Sequence, residues 1–62
     1  MKMKRTYTVV EMAGYEGETE RRDKFKTANE ADKWMRSFYD NDEIDALHVM
    51  IRTDFADGTT EY

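Results

Sequence analysis

The sequence predicts an α+β domain of order β-β-α-β-β, with one antiparallel sheet in strand order 2-1-3-4 and a single helix packed on one face. Three observations lead there. A helix-capping pattern at Thr27–Glu30 opens an apolar stripe of helical period. Runs of strand-forming residues flank that stripe on both sides, and an Asp57-Gly58 pair marks a tight hairpin near the last residues.

The first strand is expected from Arg5 to Met12, where Tyr7, Thr8, Val9 and Val10 favour extended backbone. Ala13 to Glu18 reads as a loop, with Gly14 and Gly17 free to adopt positive φ. Thr19 to Lys26 reads as a charged second strand ending in Phe25; its polarity suits a sheet edge, where charge discourages pairing with other chains. The Thr27 hydroxyl can accept from the amide of Glu30 while the Glu30 carboxylate reaches back, so a helix is expected from Ala28 to about Asp40. Ala31, Trp34, Met35 and Phe38 then form its apolar face, and Trp34 is expected to be well buried. Asp40 to Asp45 reads as a solvated loop.

Ala46 to Phe55 is the strongest strand. Leu47, Val49, Ile51 and Phe55 alternate on one face, and His48, Met50, Arg52 and Asp54 on the other. Thr59 to Tyr62 supplies a short fourth strand. A right-handed β-α-β crossover places strand three beside strand one. One helix covers one face, so the opposite face is expected to be open.

The chain has 62 residues, no Cys and one His, so no disulfide framework and no usual zinc pattern can hold it together. One domain with one apolar core is expected, near the lower size limit for independent folding. No apolar run is long enough to span a membrane, nothing resembles a signal-peptide core, and the absence of Cys fits a reducing compartment. A cytoplasmic protein is the expectation.

Catalytic constellations are scarce. Ser37 falls on the helix and His48 on a strand, and the expected faces point them apart. Asp40-Asn41-Asp42-Glu43-Ile44-Asp45 is acidic, but a calcium loop needs an oxygen ligand and then a Gly where Ile44 and Asp45 stand. No enzyme, cofactor or metal is expected. Lys2, Lys4, Arg5, Arg21, Arg22, Lys24 and Lys26 make the first half locally basic, yet the formal net charge is −4, which argues against direct nucleic-acid binding.

The charge layout is the most informative feature. Residues 1–39 carry nine bases against seven acids, whereas residues 40–62 carry seven acids and one base, Arg52. The expected topology gathers Glu11, Glu16, Glu18, Glu20, Asp40, Asp42, Glu43 and Asp45 at one pole, where the helix ends. Acids there oppose the helix dipole, an arrangement that stability alone does not favour. The expected function is therefore a small non-enzymatic binding module, an inhibitor or regulator, that docks Glu16, Glu18, Glu20, Asp40, Asp42, Glu43 and Asp45 on a basic surface of a larger protein. The alternative is a homodimer through the open sheet face, using Val10, Met12, His48 and Met50. In size and charge the chain resembles the small accessory proteins of phages and mobile elements, including anti-restriction and anti-CRISPR inhibitors. That resemblance is one of overall character, and it implies a partner whose basic groove normally holds nucleic acid.

Overall fold

The computed structural model describes residues 4–14 and 17–62. The order is β1 (Arg5–Gly14), β2 (Gly17–Phe25), α1 (Ala28–Phe38), α2 (Asn41–Ala46), β3 (Val49–Phe55) and β4 (Thr60–Glu61). The four strands form one antiparallel sheet in the order β2-β1-β3-β4, as the sequence predicts. The one added element is α2, where a loop was expected.

α2 exists because Asp40 caps it. The Asp40 carboxylate accepts from the Glu43 amide at 2.8 Å, and the Glu43 carboxylate accepts from the Asp40 amide at 3.1 Å. This reciprocal pair satisfies two orphan amides of the first turn. At α1, Thr27 accepts from the Glu30 amide at 3.1 Å; the complete box stands at α2 rather than at the expected position. Ile44 and Leu47 turn inward from α2 and pack against the core.

The core comprises Val9, Ala31, Met35, Tyr39 and Val49, with Tyr7, Phe25, Trp34, Ile44, Leu47 and Ile51 packed partly exposed around it. The α1 stripe therefore holds only at Ala31 and Met35. Trp34 is half-buried, Phe38 is 53 % exposed, and Tyr39, just past the helix, takes the core position instead. Buried Tyr39 keeps its hydroxyl satisfied by donating to Glu11 at 3.1 Å, and burial pushes its ionisation up.

β2 is out of step with β1. Tyr7 faces Phe25, Val9 faces Arg22 and Val10 faces Glu20, so β2 holds two more residues than β1 over this stretch. One of them, Lys24, takes a left-handed φ of 63°. The bulges rephase the strand. Phe25, Arg22 and Arg21 turn toward α1, where the two guanidinium groups lie over aromatic rings, while Glu18 and Glu20 turn to the opposite face.

Candidate functional site

The face away from α1 is not an open sheet. Arg52 on β3 lies across β1 and reaches β2. Its Nε donates to Asp54 at 2.6 Å, Nη1 to Glu18 at 2.8 Å, and Nη2 to Glu20 at 2.6 Å. Thr8 donates to the same Asp54 carboxylate at 2.6 Å, and the Tyr62 hydroxyl bonds Glu18. Thr8 and Val10 are fully buried beneath this network, and the Arg52 side chain is only 10 % exposed.

The electrostatics follow from that geometry. Three carboxylates share one guanidinium, so the cluster keeps a formal surplus of two negative charges. Hydrogen bonding to Asp54, more than to Glu20 and Glu18, holds the Arg52 proton more tightly than usual against the opposing effect of burial. The Arg52 bond, helped by Thr8, holds Asp54 below the ordinary carboxylate range.

This arrangement changes the expected self-association surface. Val10 is sealed under Arg52 rather than open, and Met12 is half-buried, its amide donating to Leu47 and His48 carbonyls. His48 lies before β3 with φ 52°, exposed, and Met50 is 38 % exposed beside the ion network. The four do not make one continuous apolar patch: strand alternation alone puts Arg52 on the open face, but it is buried there and closes that face.

The acids expected at one pole divide between the two faces of the sheet. Tyr39, following α1, reaches Glu11 near the end of β1, and Met12 bonds to the chain that leaves α2. Glu11, Asp40, Asp42, Glu43 and Asp45 thus lie on the α1 side where β1 ends and α1 gives way to α2, whereas the Glu18 and Glu20 carboxylates turn to the opposite face and bond Arg52; Glu16 lies outside the described residues. The energetic reading of that cluster requires correction. Asp40, Asp42 and Glu43 do not burden the end of α1; they cap and begin α2, where negative charge complements the dipole. Among the described acids expected at the pole, Glu18 and Glu20 are ion-paired, both with Arg52, while Asp42 and Asp45 stay exposed.

A second cluster was not foreseen. Trp34 and Phe38 stack at 4.9 Å with rings 10° apart, and Phe25 tilts against Trp34 at 6.1 Å. Arg22 lies over Phe25 and Trp34, and Arg21 lies over Phe38 at 5.9 Å from the ring centre. The helical stripe signals the aromatics, but only the bulges of β2 bring both arginines to them.

Among the described residues no group of three or more His, Asp or Glu is placed to hold a metal ion, and no helix is long and apolar enough to cross a membrane. Comparison with protein-family models, curated proteins and solved structures finds no match to this chain.

Proposed function

We propose that the domain acts by binding, as an inhibitor or regulator that sets its acidic pole against a basic surface of a larger protein. The observation that carries this reading is the grouping of Glu11, Asp40, Asp42, Glu43 and Asp45 where α1 gives way to α2, beside Arg36, which pairs with Asp32 and bonds Asn41. A field of one sign steers a complementary partner and raises its on-rate. A groove that holds nucleic acid is a surface of the required sign, and a compact domain with a net charge of −4 suits it.

The two carboxylates that make no described bond, Asp42 and Asp45, test the reading without touching the Asp40–Glu43 cap. Native lysate is passed over the immobilised domain at low and then moderate salt, and captured proteins are identified by mass spectrometry. The parent should retain a protein with a basic surface in a salt-sensitive manner, since exposed charges are screened beyond about 8–10 Å near physiological ionic strength. Asp42→Asn/Asp45→Asn should bind the same protein with a slower on-rate and a melting temperature that shifts little, since Asp42 complements the α2 dipole while Asp45, in the last turn, opposes it. Equal on-rates for parent and variant, or capture indifferent to salt, would reduce the pole to a solvated surface.

A further inference from the structure

The exposed aromatic at the end of α1 has a different use. Phe38 is 53 % exposed, yet it is held on several sides: stacked on Trp34, edge-on to Tyr39 at 4.9 Å, and beneath Arg21. A ring already fixed in place loses little freedom when a second surface covers it. Phe25 and Trp34 beneath it are themselves only partly buried, so the apolar core reaches the surface along this line.

Charge is divided across that ring. On the β2 side stand Arg21 and Arg22, pinned over the aromatics. On the other side α2, which packs against β3, presents exposed Asp42 and Asp45, while Arg36 beside it is taken up by Asp32 and Asn41. A two-fold axis lying in the plane of contact, parallel to α1, would exchange these sides. It brings Phe38 against Phe38 and sets each copy's arginines over the other's α2, so opposite charges meet twice. Such self-complementarity is what an isologous interface requires, and aromatic and arginine side chains are the residues that most often anchor one.

We propose that the chain forms a two-fold dimer across the last turn of α1, with Phe38 at its centre and Arg21 of each copy facing Asp42 of the other. Self-association and docking through the acidic pole draw on the same α2 carboxylates and exclude one another there, but neither depends on the other being correct.

The test uses the whole chain alone. Sedimentation equilibrium is run from about 1 μM to 1 mM, a range that brackets weak homodimers, at roughly 0.15 M salt. The mass should rise from 7.4 kDa toward twice that value. Trp34, the sole tryptophan, reports directly, and its emission should shift to the blue over the same range. Phe38→Ser should stay monomeric with an unchanged far-UV spectrum. Arg21→Glu and Asp42→Lys should each weaken the dimer at least about tenfold, because like charges then face each other. An equimolar mixture of those two variants should recover it, since each reversed residue meets its complement. These two exposed sites keep the test decisive should Phe38→Ser fail to fold. A parent that is monomeric throughout, a dimer indifferent to Phe38→Ser in the folded state, or a mixture that does not recover would each overturn the proposal; the first would leave the stripe to a different protein or to a nucleic acid.

Discussion

In an Arg52→Met variant, the methionine keeps much of the aliphatic cover over Thr8 and Val10 and removes the charge that Glu18, Glu20 and Asp54 share. Breaking a buried ion pair by deleting one partner costs about 3–5 kcal/mol. Here the carboxylate side chains are 30 %, 51 % and 25 % exposed, so water screens part of the loss and the lower end, about 3 kcal/mol, applies. A 62-residue domain holds roughly 3–9 kcal/mol in total, so the change removes a large share of it. At pH 7 the melting temperature followed by circular dichroism should fall by roughly 12–24 °C. The pH dependence should also weaken, because the acid-labile contribution of Asp54 goes with its partner. Asp54 is held below the ordinary carboxylate range by Arg52, so its contribution is fully present above the unfolded-chain value of ~3.9 and is lost as pH falls through the folded value. The parent should therefore weaken on acidification below about pH 4. A variant that melts with the parent at pH 7 would show that the guanidinium does not hold this face together.

Three further outcomes follow from the packing. Met35→Ala should destabilise by about 2–5 kcal/mol, more than Trp34→Ala, because Met35 is 6 % exposed whereas Trp34 is half-buried; chemical denaturation of both variants gives the ranking. His48→Gly should raise stability by about 1 kcal/mol in the same assay, since a left-handed φ of 52° strains any side chain with a Cβ and this residue lies outside the sheet. Asp40→Ala should cost about 0.5–2 kcal/mol through loss of the α2 cap, even though it removes a negative charge from an acidic region; an unchanged melt would mean that α2 does not depend on its box.

The strand order and α1 were legible because each rests on a long signal: an alternating run, a 3.6-residue stripe and the fixed hand of the crossover. α2 was missed because six residues with Ile44 as the main apolar anchor show no period. The available sign was Asp40-x-x-Glu43, the same type of box that reveals α1 at Thr27. The bulges of β2 leave no composition mark, since Lys24 gives no hint of positive φ. They decide where Arg21, Arg22, Glu18 and Glu20 point, so the aromatic cluster and the ion network escaped a reading by simple alternation. Alternation did place Arg52 and Asp54 on one face. It could not say that Arg52 would lie down across β1 toward acids that the bulges had turned to meet it.

The central position of β1 governs when this chain can fold. β1 pairs with β2, its neighbour in sequence, but its other edge is matched by β3, with Arg5 opposite Phe55 and Thr8 bonded to Asp54 across 46 residues of chain. Closing so long a loop costs entropy before any of its contacts can form, which slows folding relative to domains built from local contacts. During synthesis the β1–β2 hairpin and α1 emerge first, at ~5–20 residues per second, and neither can complete the sheet until β3 arrives. Until then the inner edge of β1 is unpaired and the carboxylates of Glu18 and Glu20 have no guanidinium between them. The arrival of Arg52 on β3 ends both conditions in one step.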